Sequence, residues 1–336
     1  YGLGYAKYRH QSDGISQNLE MYIPMDDNIK VQTLKLENNG LKKKKLKLVY
    51  YIKPVLEEDE LKSNGYCTLE FIPNSNVICM KNTAQEETFS QYLFVSSSEK
   101  ITSYTGSKQN FVGNGGLANP DGIRQIKLDN SNSLWQNGII AIQCEVELEA
   151  LESKEIVFTL GVGKTVLECQ DIAYKYCNLS KVKEEYEKTK NYWRGITDNL
   201  QVSTPLESTN ILLNSWLIYQ TITSRLLGRT GYYQSGGAYG FRDQLQDTIA
   251  LKYVDPEFTK QQIIKHSAHQ FIEGDVEHWW HEETIRGIRT RFTDDRLWLV
   301  YLVEDYISFT GDKQILDIQT PYLTGAILER GVDEKY

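Results

Sequence analysis

The densest group of residues able to recognise a ligand lies at positions 232–247, YYQSGGAYGFRDQLQD. Glycines there would let the backbone approach a ligand, and an aromatic face such as that of Tyr239 can stack on a sugar ring. Arg242 and Asp243 can hydrogen-bond adjacent hydroxyls bidentately. The group therefore has the composition expected of a pyranose site at the start of a helix. The alternative is a helix start with an internal salt bridge.

A second group, EGDVEHWWHEE at positions 273–283, places two tryptophans, two histidines and five carboxylates in eleven residues. It is too polar for a core and too aromatic for a solvated loop. His278 and His281 raise the alternative of a metal site. Their order is not the His-Glu-x-x-His of zinc peptidases, and no third ligand stands out, so we expect no metal.

The third group is RGIRTRFTDDRLWL at positions 286–299. Thr293 or Asp294 can cap the helix that follows, and capping explains only one of the two aspartates, Asp294 and Asp295. The apolar run 297–303 is typical of a helix that is covered on all sides, as in an inner ring of helices or a plain bundle.

The overall composition favours a neutral ligand. Lys and Arg number 37 against 45 Asp and Glu, and the net charge of −8 argues against binding to nucleic acid or to an anionic membrane surface. No apolar run reaches membrane-spanning length. The five cysteines are widely spaced without a CxxC pair, which predicts a cytoplasmic protein without a disulfide framework.

The elements that would position these groups change along the chain. Alternating runs such as 46–52 and 142–148, separated by turns rich in Asn and Gly, predict an antiparallel β-sandwich up to about residue 164. Residues from about 171 to 195 have helical spacing and predict a linker helix. From Thr209 onward, apolar residues recur at three- and four-residue steps, and those of one predicted face are Leu212, Trp216, Tyr219, Ile222 and Leu226. This spacing predicts helix after helix without strands between them.

The three motifs, in this order and at this spacing, closely resemble glycoside hydrolase family 94, inverting phosphorylases of β-linked disaccharides and oligosaccharides. Their form is most similar to the branch of cyclic β-1,2-glucan synthases and 1,2-β-oligoglucan phosphorylases, with laminaribiose and chitobiose phosphorylases as near alternatives. The resemblance covers essentially the whole chain. It implies a β + α multidomain fold: a β-sandwich (1–165), a helical linker (166–204) and the first part of an (α/α)6 barrel (205–336). It also implies a homodimer formed through the sandwich.

The resemblance implies roles for individual residues. Arg242 and Asp243 would bind hydroxyls of the non-reducing-end glucose, and Asp294 and Asp295 match a pair that the family keeps beneath this pocket. The other residues expected at the same substrate site are Gln234, Tyr239, Asp247, Trp279, Trp280 and His281.

Two departures from the family pattern matter. Gly236 and Gly237 occur near the place where cellobiose-type members carry a phosphate-binding arginine, so phosphate would rely on other groups. The family's Asp-Trp-Asn-Asp motif, which holds the general acid, is absent from this sequence. We therefore expect no catalytic acid in this chain and a helical ring that cannot close, either because the chain is a fragment or because another chain supplies the remainder.

For the complete enzyme the resemblance implies no cofactor, with inorganic phosphate as co-substrate. Phosphate would attack the anomeric carbon while an acid protonates the glycosidic oxygen, giving α-glucose 1-phosphate. Two alternatives stay open. Asp294 or Asp295 could act with Glu282 or Glu283 as a hydrolytic acid–base pair, or the chain could bind oligosaccharide or a partner chain without turnover. Linkage preference (β-1,2, β-1,3 or β-1,4) is not determined by these motifs.

Overall fold

The computed structural model describes most of the chain, as two compact units, Tyr1–Asn191 and Tyr192–Tyr336. The described residues are 1–56, 60, 65–84, 91–132, 138–228, 237–282 and 286–335. The division between the units falls within a long helix, so the first unit ends in helix and the second begins in it. The predicted domain bounds, 1–165, 166–204 and 205–336, stay a prediction.

The first unit is built on a seven-stranded antiparallel sheet in the order β1-β2-β3-β10-β7-β6-β5. The β1–β2 hairpin turns at Asp13 and Gly14, both with positive φ (49° and 70°), as tight two-residue turns require. The strands are β1 (Tyr5–Ser12), β2 (Ile15–Tyr22), β3 (Ile29–Asn38), β5 (Cys67–Ile72), β6 (Val77–Asn82), β7 (Tyr92–Ser97) and β10 (Ser153–Gly163).

A three-stranded sheet, β4-β9-β8, covers one face of the larger sheet. In β9 the alternating residues Ile142, Cys144, Val146 and Leu148 are buried between the sheets, whereas Glu145 and Glu147 are exposed. The predicted antiparallel sandwich and the inward faces of both alternating runs are therefore confirmed. These strands are β4 (Lys44–Ile52), β8 (Ile101–Thr105) and β9 (Ile140–Leu148), with short helices α1 (Lys108–Val112) and α2 (Asp121–Arg124) between the last two.

Helix α3 (Val166–Tyr176) packs on the other face of the seven-stranded sheet. Thr165 caps it, accepting a hydrogen bond from the Glu168 amide. On this face Val77 and Cys79 of β6 meet Cys169 and Ala173, while Ile78 and Met80 face the sandwich core. Helix α4 (Leu179–Thr197) follows, so the segment predicted to contain one linker helix holds two helices.

The second unit begins with a helical run that departs from ordinary α geometry. Short α-helices α5 (Glu207–Ile211) and α6 (Leu217–Gln220) alternate with π-helical segments at Leu212–Trp216 and Thr221–Leu227. Ile222 and Leu226 are buried, but Leu212 and Trp216 are 43% and 39% exposed. The predicted single apolar face is therefore divided between core and surface.

Three further helices form the core of this unit. They are α7 (Phe241–Thr248), extended by a 3₁₀ segment Ile249–Tyr253, α8 (Pro256–Ser267) and α9 (Asp295–Thr310), which is followed by a 3₁₀ segment Lys313–Asp317. Phe241, Leu245, Ile263, Leu299 and Leu302 pack together where they meet.

A four-stranded antiparallel sheet lies among these helices, in the order β11-β12-β13-β14. Its strands are β11 (Tyr239–Gly240), β12 (Glu277–His281), β13 (Arg286–Thr290) and β14 (Glu334–Lys335). The prediction of helices without strands after Thr209 is therefore wrong. The polar and aromatic residues on both faces of β12 hid its period of two.

Helix α9 buries Leu299 and Leu302 against the core. Its outer face leaves Leu297, Val300 and Tyr301 more than half exposed, at 63%, 69% and 52%. Within the described residues the helix is therefore not covered on all sides, contrary to the prediction for positions 297–303.

Candidate functional site

The candidate site lies where the first turns of α7 and α9 meet. Arg242 in the first turn of α7 contacts Asp294 at the start of α9, and Lys252, just after α7, pairs with Asp305 in the last third of α9. One pair joins the beginnings of α7 and α9, and the other joins their later parts. The two helices therefore run in the same direction. Helix α8 runs the other way, since its late residue His266 contacts Phe241 at a ring-centroid distance of 5.6 Å.

Arg242 is the exposed cation of the site. Its Nη1 donates to Asp294 Oδ2 at 2.9 Å, and its guanidinium lies 5.5 Å from the centroid of the Trp298 ring. About half of each side chain in the Arg242–Asp294 pair is exposed, so both can reach a ligand from solvent. Asp294 occupies the N-cap position but makes no capping hydrogen bond. The capping role predicted for it is therefore wrong, because its carboxylate turns to Arg242.

Asp295 lies beside this pair but is buried, at 1% exposure. Its Oδ2 is 2.7 Å from Nδ1 of His278, whose ring meets Phe292 at a centroid distance of 4.7 Å. Burial raises the pKa of the Asp295 carboxyl; the bond to His278 acts in the opposite direction, and nearby Asp294 and Asp243 raise it further. The site thus holds one buried and two exposed carboxylates.

Asp243 follows Arg242 in the first turn of α7 and is exposed. Its carboxylate folds back over Gly240, where a Cβ atom would lie 2.8 Å from Asp243 Oδ2. The missing Cβ of Gly240 makes room for this carboxylate, whereas the sequence pattern predicted that the glycines make room for a ligand. Asp247, one turn later, faces elsewhere and accepts from Arg225 Nε at 2.7 Å.

Tyr239 of β11 and Trp280 of β12 have buried side chains and do not lie in the open part of the site. Trp280 is 2% exposed, and its ring stacks on His269 at 3.7 Å and on Tyr239 at 5.5 Å. Lys265 lies 3.7 Å from the centroid of the Tyr239 ring. Both rings can support β11 and β12, and in this arrangement their faces are covered by neighbouring side chains.

Trp279 and His281 point to the opposite face of β12 from Trp280 and contact each other edge to face at 5.4 Å. The contacts described for Arg242, with Asp294 and Trp298, include neither of them. Glu282 pairs with Lys265. Gln234 and Glu283 lie outside the described residues.

Three residues that we did not assign to a sugar site belong to this group. His278 contacts Asp295, Phe292 contacts His278, and Trp298 contacts Arg242. Trp298 could have been found, because it is four residues after Asp294 and so lies on the same side of a helix. The contact of His278 with Asp295 carries no comparable signal in the sequence. In the described part of the chain no three His, Cys, Asp or Glu side chains are grouped to hold a metal ion.

No helix among the described residues is long and apolar enough to cross a membrane.

Comparison with known proteins places both units. Residues 1–179 match the model described as glycosyl hydrolase 94, supersandwich domain. Residues 192–329 match the model described as glycosyl hydrolase 94 superfamily, catalytic domain, and so contain every residue of the candidate site.

Several characterised relatives align along nearly the whole chain. Cyclic β-(1,2)-glucan synthase NdvB of Rhizobium meliloti is 29% identical over 100% of this chain and 12% of its own length. N,N'-diacetylchitobiose phosphorylase of Vibrio furnissii is 22% identical over 97% of the chain and 44% of its own length. Solabiose phosphorylase of Paenibacillus borealis is 24% identical, with 96% and 41% covered. The chain thus spans less than half of the length of each.

Solved structures support the fold. A protein described as a kojibiose phosphorylase from the human microbiome superposes with a TM-score of 0.55 at 12% identity, over 93% of this chain and 42% of its own. A bacterial glucoamylase in complex with acarbose gives 0.52 at 13% identity, with 90% and 47% covered. The expected fold class, a β-sandwich followed by the first part of an (α/α)6 barrel, is confirmed. With both of its units matched by family models, the chain belongs to glycoside hydrolase family 94.

Proposed function

We propose that this protein cleaves β-linked gluco-oligosaccharides with inorganic phosphate to give α-glucose 1-phosphate, and that this chain holds the donor glucose. The observation that carries the proposal is the arrangement of Arg242 and Asp243 in the first turn of α7, against Asp294 at the start of α9. Two relatives that align along nearly all of the chain are named phosphorylases, which supports the same reaction type.

The chemistry of the pair suits a neutral sugar. The guanidinium of Arg242 is a planar donor, and the exposed carboxylates of Asp243 and Asp294 accept from hydroxyls. The ring of Trp298 lies near Arg242 and the ring of Phe292 lies near His278, and both offer apolar surface to a sugar. Together they can fix the orientation of a pyranose, which is what a displacement at its anomeric carbon needs. We assign neither the general acid nor the phosphate-binding groups to residues of this chain.

The other residues predicted to line the site enter the proposal in supporting roles. Tyr239 and Trp280 would hold β11 and β12 in place, and Asp247 would fix α7 to Arg225. Gln234, Trp279 and His281 remain candidates for contacts with sugar units beyond the donor glucose. A homodimer formed through the sandwich, and a cytoplasmic location, belong to the same proposal and are supported by the family resemblance and by the spacing of the cysteines.

The competing function is hydrolysis by Asp294 or Asp295 with Glu282 or Glu283. The raised pKa of Asp295 is the one observation in its favour. Against it, Asp295 is 1% exposed and bonded to His278, and Glu282 is engaged by Lys265. The pair of Asp295 and Glu282 is therefore poorly placed to meet both a sugar and a water molecule. Asp294 is exposed but bonded to Arg242, and Glu283 lies outside the described residues.

One experiment separates the functions. The full-length protein is incubated with β-1,2-, β-1,3- and β-1,4-linked gluco-oligosaccharides with and without phosphate, and products are followed by proton and phosphorus NMR. We expect α-glucose 1-phosphate only with phosphate. Glucose release without phosphate would establish the hydrolase, and binding without any turnover would establish the non-catalytic alternative.

A further inference from the structure

His278 occupies an unusual position in its strand. In the pairing of β12 with β13, Glu277 lies opposite Arg289 and Trp279 lies opposite Ile288, so His278 has no residue opposite it. Such an extra residue, as in a β-bulge, turns its side chain away from the regular direction, and bulges are frequent beside active sites. Here the ring is turned to Asp295 at the start of α9.

The ring of His278 is fixed on one side and open on the other. Nδ1 is 2.7 Å from Asp295 Oδ2, and Phe292 lies against the ring. The His278 side chain is 37% exposed, and among the described residues its Nε2 makes no hydrogen bond. A carboxylate that orients an imidazole in this way leaves the second nitrogen available for a ligand.

The structure contains a second histidine–carboxylate pair, in which the histidine ring is packed against another ring. His269 Nδ1 is 2.7 Å from Glu277 Oε2, but the His269 ring is stacked on buried Trp280 at 3.7 Å. That histidine has a packing role. His278 instead contacts the buried Asp295, whose neighbour in the sequence, Asp294, accepts a hydrogen bond from Arg242.

We propose that His278 contacts the sugar through Nε2 at the site of Arg242, and that Asp295 is the positioning residue that holds its ring. This inference rests on the proposed function, which it deepens by adding a hydroxyl-recognising residue to the donor subsite. Asp295 acts on the sugar only through His278. A bound hydroxyl would exchange a hydrogen bond with Nε2 without any covalent step.

Two substitutions distinguish the nitrogens of the ring. The amide of glutamine reaches close to the position of Nε2, and that of asparagine reaches close to that of Nδ1. If Nε2 binds the sugar, His278→Gln keeps affinity for a β-gluco-oligosaccharide within about threefold, and His278→Asn weakens it about tenfold, as expected for one lost hydrogen bond. A purely structural role through Asp295 gives the reverse order.

The assay is calorimetric titration of the full-length protein with an oligosaccharide, together with thermal unfolding of each variant. His269→Gln and His269→Asn are the matched controls and should bind the sugar alike. Asp295→Asn is combined with each His278 variant in a double-mutant cycle. It should weaken binding in the wild-type background, and it should have no further effect when His278 is already replaced by Asn.

Equal affinities of the two His278 variants, or the reverse order, would overturn the proposal. The proposal would also be overturned if Asp295→Asn weakened binding as much in the His278→Asn background as in the wild-type background. A wild-type protein that binds the oligosaccharide but forms no glucose 1-phosphate refutes the proposed reaction alone, and the comparison of variants still decides the role of His278. A folded wild-type protein that binds no oligosaccharide refutes both.

Discussion

Two ion pairs join the same two helices at opposite ends, and they should respond to mutation in opposite ways. Arg242–Asp294 at the site is about half exposed on both sides, whereas Lys252 of the Lys252–Asp305 pair is 4% exposed. Replacing Arg242 by Ala should remove a sugar contact and little stability. Replacing Lys252 by Ala should do the reverse.

The magnitudes follow from exposure. A solvated pair contributes at most about 1 kcal/mol, so Arg242→Ala should lower the free energy of unfolding by less than that. A guanidinium that donates to sugar hydroxyls in the transition state contributes about 3 kcal/mol or more, which corresponds to a loss of at least about 100-fold in kcat/KM. Lys252→Ala leaves Asp305 without its buried partner; because Asp305 is 24% exposed, we expect a loss of roughly 2–3 kcal/mol of stability.

The assays are chemical denaturation and phosphorolysis rates of the full-length protein under conditions in which each variant is folded. The expected result is a crossed pattern, with activity lost in Arg242→Ala and stability lost in Lys252→Ala. An Arg242→Ala protein with near wild-type kcat/KM would refute the donor-site assignment. A loss of stability in Arg242→Ala as large as that in Lys252→Ala would refute the reasoning from exposure.

Two further predictions concern the surroundings of the site. His266 is fully buried, which lowers its pKa from 6.5 to about 3. Because the unfolded state then binds a proton that the folded state does not, stability should fall as the pH drops from about 6.5 towards 3, by up to about 1.4 kcal/mol per pH unit. Urea unfolding at several pH values should show that the free energy of unfolding depends less steeply on pH in His266→Asn, by up to one bound proton. An unchanged pH dependence would contradict the lowered pKa of His266. Gly240→Ala would place a Cβ 2.8 Å from Asp243 Oδ2, so we expect the carboxylate to shift and kcat/KM to fall about tenfold with little loss of stability. Full activity in this variant would show that the position of Asp243 is not critical.

The sandwich could be predicted because strands such as β9 have one face in the core and part of the other face in solvent. In β9, Cys144, Val146 and Leu148 face the core, whereas Glu145 and Glu147 face solvent, so the period of two is visible in the sequence. Strand β12 has aromatic and charged side chains on both faces, so an alternation of apolar and polar residues is not visible in its sequence. The spacing of Leu212, Trp216, Ile222 and Leu226 predicted one α-helical face. The π-helical turns contain more residues, so the spacing no longer places the first two on the same side as the last two.

Only part of the site could be predicted from the sequence. The motif near Arg242 identified the residues at the start of α7, since glycine, arginine and aspartate there have a chemical reason to be adjacent. Which aspartate of the third group would reach Arg242 depends on the packing of two helices whose contacting residues are 52 positions apart. Capping preferences pointed Asp294 at its own helix, and only the tertiary contact shows it turned to Arg242.

The parallel course of α7 and α9 also determines the electrostatic field at the site. Each helix has a macrodipole with roughly half a positive charge at its first turn, so two such ends together contribute about one unit. Asp243, Asp294 and Asp295 lie near the guanidinium of Arg242, and among these four side chains the carboxylates are in excess by two, which the helix ends only partly offset. The resulting field favours an uncharged polyol over an anion. In the proposed reaction, phosphate would therefore be held at a distance from these carboxylates, by cationic groups of its own.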